Sequence, residues 1–372
     1  MMACTAEEVW DVVVVGGGAM GSSTAYYAAK AGRRTLVLEQ YALGGHKHGS
    51  SHGGSRITRR SDVDLGLQDL ATAALAEWSK LEEDSGLQLL TRCGSLDIGD
   101  PLQTGFSKIM ENCRTEEFEL LTGAEVRQRW PAFAGVPDNW KGVWNKDGGI
   151  LSPDVIVPCL QNLAKRYGAV LRGNATVMGT LYDKRTGTTT LQLGSGAPVM
   201  AKKVVLAAGP WSSALLARYF GVKLPIEVQE VTYGWYTVKP SALQMAKDIP
   251  VWRAFGGSSR CYGFPLHERV SAHEMKIAPH GSSAVLAHPG ERSNTARAEQ
   301  VAQCSLFAQR LLPHLLTGGM RLEASTCLYS VTKDANFVLD WLHTGATHSA
   351  LAQCTSHPAV VQYATASHRV VV

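Results

Sequence analysis

The sequence predicts an α/β protein with a parallel sheet, together with a second domain of antiparallel strands. Three observations support this fold class. An apolar strand runs into a glycine-rich turn and a helix at residues 11–39, and a similar strand, glycine and helix recur at Lys202–Leu216. Between and beyond these units, segments such as Glu227–Val238 alternate in the manner of antiparallel strands.

The first unit carries a glycine motif directly after its strand. Val12–Val15 is an apolar, β-branched run, which is typical of a buried parallel strand. Gly16, Gly18 and Gly21 follow at G-x-G-x-x-G spacing. In such a motif the first glycine permits a tight turn, the second lets a pyrophosphate approach the backbone, and the third lets the helix pack close to the strand.

The rest of this unit is in register with the glycines. A helix is predicted over Ala19–Ala31, and the apolar strand Thr35–Leu38 ends in Glu39. That acid stands 18 residues after Gly21, where a carboxylate that binds a ribose is expected. The pattern predicts a Rossmann-like unit that binds the ADP part of FAD or NAD, with an ordinary βαβ unit as the alternative.

Composition and charge exclude several other classes of protein. The 372 residues are 45% hydrophobic and 18% charged, as expected for a globular protein long enough for two domains. A net charge of +4 without a long basic block argues against a nucleic-acid partner, and no apolar run reaches the roughly 18 residues of a membrane span. The eight cysteines are scattered, so we expect reduced thiols in an intracellular protein, without a metal site or disulfides.

A polar loop is predicted after the first unit. Tyr41–Arg60 is rich in Gly, His and Ser, and it carries His52, Arg56 and Arg59 within eight residues. Arginines can hold anions through two parallel hydrogen bonds. The loop is therefore predicted to lie against a cofactor, with a polar surface loop as the alternative.

The remaining elements follow from periodicity and from Gly and Pro breakers. Helices are predicted over 65–86, 116–130, 152–167 and 294–312. Strands are predicted over 91–99, 169–172, 175–178, 262–264 and 274–277.

The second strand–glycine–helix unit, Lys202–Leu216, suits a two-part FAD-binding domain better than a simple NAD domain. The expected FAD-binding domain is discontinuous and consists of residues 1–90, 151–219 and 325–372. Residues 91–150 and 220–324 are expected to form an α+β substrate domain around an antiparallel sheet.

Several separate motifs together resemble the monomeric sarcosine oxidase family, which includes peroxisomal sarcosine/pipecolate oxidases and N-methyl amino acid oxidases. The motifs are GGGAMG at 16–21, GSSHGGSRITR at 49–59, LAAGPW at 206–211, YGFP at 262–265, Lys276 with His280, and CLYSVTKDANFVLD at 327–340. The resemblance implies an FAD-dependent enzyme that oxidises the C–N bond of a secondary amino acid such as sarcosine or L-pipecolate. Oxygen is then reduced to hydrogen peroxide, and we expect a monomer.

The resemblance also implies how the cofactor is held. Family members attach FAD through a cysteine thioether, and Cys327 occupies that position, with an ordinary core cysteine as the alternative. The implied cofactor-binding residues are Gly16, Gly18, Ala19, Met20, Gly21, Glu39, Gln40, Ser50, Ser51, His52, Arg56, Val177, Gly209, Trp211 and Cys327.

Four residues are implied to be catalytic, namely Lys276, Arg56, His52 and His280. Lys276 matches the lysine that activates oxygen, since a positive charge beside the flavin stabilises the charge that oxygen gains. A solvated lysine at a strand end is the alternative. Arg56 and His52 match residues against the flavin face, where a cation favours the reduced, anionic cofactor.

The substrate is implied to be held by a further set of matched residues. Arg59 matches the arginine that pairs with the substrate carboxylate. Tyr262, Tyr329 and His280 match residues that position the amine, and each also suits an ordinary half-buried position.

The sequence departs from the family after Asp340. Family members continue with a strand and a Gly-Phe-Ser-Gly-His-Gly-Phe-Lys segment whose lysine is a second partner of the carboxylate, and no such segment follows here. We therefore expect little oxidase activity, with an inactive or regulatory isoform and a flavin dehydrogenase that uses another acceptor as alternatives. No peroxisomal tripeptide stands at Val370–Val372, so the expected location is peroxisomal or cytoplasmic.

Overall fold

Two large sheets form the centre of the fold. The computed structural model describes residues 9–257, 259–280, 284–319, 325–334, 336–344 and 347–353. The predicted α/β fold class is confirmed, because one sheet has a parallel core flanked by helices and the other is mainly antiparallel.

The elements have the following bounds. The helices are α1 (Ala19–Lys30), α2 (Leu65–Ser85), α3 (Thr104–Asn112), α4 (Gly123–Arg129), α5 (Pro153–Arg166), α6 (Ser212–Phe220), α7 (Leu243–Lys247) and α8 (Ala298–Leu311). The first ten strands are β1 (Val9–Val15), β2 (Thr35–Leu38), β3 (Arg56–Thr58), β4 (Leu90–Arg92), β5 (Ser95–Gly99), β6 (Glu119–Thr122), β7 (Lys141–Asn145), β8 (Gly149–Leu151), β9 (Val170–Arg172) and β10 (Val177–Asp183). The others are β11 (Thr188–Leu193), β12 (Val199–Leu206), β13 (Ile226–Thr237), β14 (Val251–Gly256), β15 (Ser259–Gly263), β16 (Glu274–Pro279), β17 (Ala284–Leu286), β18 (Ser325–Thr332), β19 (Val338–Thr344) and β20 (Thr347–Gln353).

The first sheet contains the parallel core that the glycine motif predicts. Strands β9, β2, β1 and β12 lie side by side and are parallel, and β20 adds a further parallel neighbour to β12. The antiparallel pair β10–β11 extends the sheet beyond β12. Asp340 lies within β19, and β20 follows it. Residues 354–372 lie outside the described residues, so the departure from the family after Asp340 stays a prediction.

The second sheet has nine strands in the order β17-β13-β16-β15-β14-β5-β7-β6, with β18 also beside β13. Its paired strands are antiparallel except for β14 and β5. A small sheet of β3, β8 and β4 completes the fold. The predicted domain bounds stay a prediction; β18, which lies in the segment expected in the FAD-binding domain, pairs in the second sheet.

Apolar side chains on both sheets are covered by helices. α1 and α5 bury one face of the first sheet, where Ala25 and Leu160 belong to one cluster, and Leu216 of α6 covers the other face. Trp252 and Ile277 of the second sheet pack with Ala308 of α8. Burial of a large apolar side chain contributes about 1.5–3 kcal/mol, so these contacts fix each sheet against its helices.

Two segments differ from the elements predicted for them. The segment 116–130 is predicted as one helix, but it divides into β6 and α4. The division falls at Thr122, whose hydroxyl accepts from the backbone N–H of Glu125 while the Glu125 carboxylate accepts from the N–H of Thr122, a capping box that starts a helix. The predicted strand 91–99 divides at Gly94, whose φ of +77° breaks the extended chain.

The close packing of α1 on β1 can be tested at the third glycine of the motif. A Cβ at Gly21 would lie 1.8 Å from the carbonyl oxygen of Gly16, so the helix must shift away from the turn. We expect Gly21→Ala to lower the free energy of unfolding by about 1–3 kcal/mol, measured as a fall in Tm. The control is Gly105→Ala in α3, where no atom lies within 4 Å and the helix should gain stability. Equal Tm values for the two variants would contradict this account.

Candidate active site

The glycine motif shapes the turn between β1 and α1. Gly16 has a φ of +106°, and a Cβ there would lie 2.3 Å from the carbonyl oxygen of Ala207, which directly follows β12. The backbone N–H of Gly17 donates to Oε2 of Glu39 at 2.6 Å. The turn and the acid therefore form one polar site at the carboxyl ends of parallel strands, where α/β proteins bind ligands.

Glu39 is buried and ionised. Its Oε1 accepts from the N–H of Tyr41 at 2.9 Å and lies 3.2 Å from Nε2 of His46. Burial acts to raise the pKa of Glu39, but the hydrogen bonds from His46, Gly17 and Tyr41 outweigh burial and hold the pKa below its usual value. An ionised carboxylate at this position is suited to accept hydrogen bonds from ribose hydroxyls.

A cavity opens beside this turn, and most of the predicted cofactor-binding residues line it. They are Gly16, Gly18, Ala19, Met20, Glu39, Gln40, Ser50, Ser51, Arg56, Val177, Gly209, Trp211 and Cys327. Gly21 and His52 are not part of the lining. The glycine turn, the ionised Glu39 and the apolar lining residues of the cavity, such as Met20, Val177 and Trp211, fit FAD.

Several lining residues are not among the predicted site residues, and His46, Thr176, Leu215 and Ser330 are four of them. His46 stands inside the predicted polar loop, whose composition indicates a polar site but does not specify Glu39 as the partner of His46. The other three stand beside or within elements that only the tertiary fold brings to the cavity.

The polar loop passes from the first sheet to the second along this cavity. The hydroxyl of Ser51 accepts from the N–H of Ala19 at 3.0 Å, and the hydroxyl of Ser50 donates to the carbonyl of Leu328 in β18 at 2.6 Å. The loop is thereby bonded to α1 at one point and to the second sheet at another.

Arg56 is buried where the loop meets β18. Its guanidinium donates to the carbonyl oxygens of Ser55 at 2.9 Å and Ser50 at 3.0 Å, and Nη2 lies 3.7 Å from Sγ of Cys327. Cys327 is 3% exposed and lines the cavity. Its sulfur therefore borders the cavity beside a fixed positive charge.

Lys276 is buried next to the same loop, with 4% of its surface exposed, so it is not a solvated lysine. Its Nζ donates to the carbonyl of Ser55 at 3.2 Å and lies 4.5 Å and 5.2 Å from the ring centroids of Tyr233 and Phe264. Burial, and then the charge of Arg56, hold the pKa of Lys276 well below its usual range. The protonation of this lysine is therefore sensitive to its surroundings.

His52 is neutral at physiological pH. Burial, together with the charge of Arg56 and other cations, lowers the pKa of His52 to about 3. Its Nε2 has no hydrogen-bond partner within the described ranges. The imidazole therefore offers a neutral nitrogen rather than a positive charge.

One face of the second sheet carries several of the charged and aromatic residues. Asp97, Arg253, Tyr262 and Ala278 lie directly opposite one another across β5, β14, β15 and β16, so their side chains share a face. Lys276, two residues before Ala278, shares it as well. The opposite face packs on α8.

Of the three residues predicted to position an amine, Tyr262 and Tyr329 lie in strands of the second sheet, and His280 directly follows β16. The hydroxyls of Tyr262 and Tyr329 are hydrogen-bonded to each other. The rings of Tyr262 and His280 meet edge to face at 6.3 Å. Burial raises the pKa of Tyr262 to about 12, so its phenol is neutral.

Arg59 points into a buried charged cluster and does not line the cavity. Its Nη2 donates to Oδ2 of Asp62 at 2.7 Å, whereas Nε and Nη1 have no partner among the described residues. Burial and the charge of Arg253 lower the pKa of Arg59 to about 10, so it stays positive at neutral pH.

Arg253 and Asp97 form an ion pair that the sequence analysis misses. Nε and Nη2 of Arg253 donate to Oδ1 and Oδ2 of Asp97, both at 2.6 Å. The two residues are 156 positions apart, and no motif contains either of them. Only the pairing of β14 with β5 brings them together.

The described residues contain no group of three or more His, Cys, Asp or Glu that could hold a metal ion. None of their helices is both long and apolar enough to cross a membrane.

Known proteins are similar to this chain in sequence. The family described as FAD dependent oxidoreductase matches residues 11–368. The peroxisomal sarcosine oxidase of Homo sapiens is 30% identical over 349 residues, which cover 90% of this chain and 84% of that protein. The monomeric sarcosine oxidase of Bacillus sp. strain NS-129 is 27% identical, with 92% and 87% of the two chains covered.

A solved structure agrees with these matches. NikD, described as an unusual amino acid oxidase essential for nikkomycin biosynthesis, superposes with a TM-score of 0.80 at 27% identity and covers 93% of this chain and 89% of its own. The glycine turn, the ionised Glu39 and the cavity that fits FAD agree with the family match. This chain therefore belongs to the family of FAD-dependent oxidoreductases that includes the sarcosine oxidases.

Proposed function

We propose that this enzyme oxidises the C–N bond of a secondary amino acid, either N-methylated, such as sarcosine, or cyclic, such as L-pipecolate. Oxygen is the final electron acceptor, and hydrogen peroxide is released. The observation that carries the proposal is the gathering of Arg56, Lys276 and Cys327 around the carbonyls of Ser50 and Ser55 beside the cavity. The names of the sarcosine oxidase relatives support an N-methyl amino acid as substrate.

The cofactor supplies the redox chemistry, because FAD, when bound, accepts a hydride from the carbon next to the amine nitrogen. Cys327 is proposed as the covalent attachment point, since its sulfur lines the cavity. Arg56 is proposed to stabilise negative charge on the cofactor.

The substrate is proposed to be held at its two polar ends. Nε and Nη1 of Arg59 have no partner among the described residues and could donate to a carboxylate. Tyr262, Tyr329 and His280 are proposed to orient the amine, which binds in its neutral form, so that no general base is required. Loss of a hydride, which carries two electrons, would convert the neutral amine into an iminium ion, and loss of the N–H proton would then give the imine, which water hydrolyses.

Lys276 is proposed to assist the reduction of oxygen. Its ammonium group would stabilise the negative charge that oxygen gains as it accepts electrons. The low-dielectric surroundings strengthen this interaction, and they also explain why the pKa of Lys276 is lowered. We propose that the protein acts as a monomer in the peroxisome or the cytoplasm.

The function can be tested with purified protein and a panel of sarcosine, L-pipecolate, L-proline and larger N-methyl amino acids. We expect release of one peroxide per amine oxidised. A colourless protein without turnover would indicate an inactive or regulatory isoform. Turnover with an artificial acceptor but without peroxide would indicate a dehydrogenase.

We expect covalent flavin at Cys327. Acid-precipitated wild-type protein should stay yellow. Cys327→Ser should release the flavin to the supernatant, because serine has no thiol with which to form the thioether. Cys159→Ser, at a buried cysteine in the core, is the control and should stay yellow. Loss of all flavin from the wild-type precipitate would refute the attachment.

Lys276→Met should slow reoxidation by oxygen far more than anaerobic reduction by substrate. The charge is needed where oxygen is reduced, and a loss of about 3 kcal/mol of electrostatic stabilisation corresponds to roughly a hundredfold in rate. Stopped-flow absorbance separates the two half-reactions. Lys80→Met, at an exposed lysine of α2, is the matched control. Equal reoxidation rates in the two variants would contradict the role proposed for Lys276.

The same lysine predicts a pH dependence. Because its pKa is lowered, the charged form exists only below that pKa, so reoxidation should slow as the pH rises through it. The fall should begin at a lower pH than the usual lysine value of about 10.4. If the reoxidation rate of Lys276→Met falls with pH in the same way, the fall belongs to another titrating group.

A further inference from the structure

Four charged residues form one buried cluster beside the proposed substrate site. Arg59, Asp62, Arg253 and Asp97 are 3%, 7%, 6% and 2% exposed. Ser61, which directly precedes Asp62, connects the two pairs. Its hydroxyl donates to Oδ2 of Asp97 at 2.6 Å, and its carbonyl accepts from Nη2 of Arg253 at 3.2 Å. With two positive and two negative charges, the cluster is neutral as it stands.

The cluster is incomplete at one residue. Arg253 holds both oxygens of Asp97, whereas Arg59 gives only Nη2 to Asp62 and keeps two buried N–H donors without partners in the described part of the chain. A buried donor without a partner costs about 1–3 kcal/mol, so a ligand acceptor is expected at Arg59. Arg253 lies directly opposite Tyr262 in the sheet, which places the cluster beside a residue proposed to orient the amine.

We propose that Asp62 is a positioning residue that acts through Arg59 and sets how strongly the site prefers a carboxylate to a neutral carbonyl group. This inference rests on the proposed function, in which Arg59 binds the acid end of the substrate. A carboxylate that binds Arg59 leaves the cluster with one net negative charge, and Asp62 repels it. A neutral carbonyl uses the same donors and leaves the cluster neutral.

The substrate class follows from this charge balance. With Asp62 in place, secondary amines that carry an amide or ester carbonyl should bind nearly as well as the free amino acids. Without the negative charge of Asp62, the acids should bind more tightly, and the affinity of the neutral compounds should not change. Asp62 touches no reacting atom in this scheme, and its effect is confined to selectivity.

The test compares Asp62→Asn with wild-type holoenzyme. The probes are tetrahydrofuran-2-carboxylate and its carboxamide, ring ethers in which oxygen replaces the amine so that neither is oxidised. Ligand-observed NMR titration gives both dissociation constants. We expect the acid-to-amide preference to rise about tenfold in Asp62→Asn, mostly through tighter binding of the acid. Glu117→Gln is the matched control, since Glu117 pairs with the neighbouring Arg60 but its side chain is 57% exposed.

The outcomes separate this inference from the proposed function. An acid-to-amide preference unchanged within about twofold, or equally weakened binding of both probes, would overturn the role of Asp62. This holds even if the wild type oxidises sarcosine. A tenfold rise without turnover of any secondary amine would support Asp62 and refute the proposed function. If Asp62→Asn does not fold, Asp62→Ser takes its place, and failure of both to fold assigns Asp62 a structural role instead.

Discussion

The buried guanidinium of Arg56 holds the site together. A charged group removed from water needs hydrogen-bond partners on several sides, and Arg56 finds them in two carbonyls of its own loop and the sulfur of Cys327. The loop leaves the first sheet, whereas Cys327 belongs to a strand of the second. Arg56, together with the hydrogen bond from the Ser50 hydroxyl to the carbonyl of Leu328, therefore holds the loop against that strand.

The carbonyl of Ser55 extends this constraint. It accepts from both Arg56 and Lys276, so two cations are held by one backbone oxygen. Burial, and then the charge of Arg56, lowers the pKa values of His52 and Lys276. Around Arg59 and Arg253, two aspartates balance the charge. The buried region is thus positive at one end and neutral at the other, which suits a site that stabilises developing negative charge at one end only.

The sequence predicts well what local pattern determines. The glycine turn, α1, β2 and Glu39 lie where the motif requires them, because each depends on neighbours within a few residues. The single helix predicted over 116–130 fails because a capping box at Thr122 starts the helix late.

Contacts between distant segments could not be predicted in this way. Arg253 and Asp97 meet only because β14 pairs with β5, and no local periodicity encodes which strands become neighbours. His46 reaches Glu39 through the fold of a loop whose polar composition alone does not specify partners.

The order of strands in the first sheet has a consequence for biosynthesis. β1 and β2 leave the ribosome early, β12 follows midway through the chain, and β20, which pairs with β12, is made after the strands of the second sheet. Until β20 is made, the carboxyl end of β12, at Val205 and Leu206, lacks this parallel partner. Assembly from such distant segments is slow and exposes strand edges to aggregation, so this protein should depend on chaperones that shield the nascent chain.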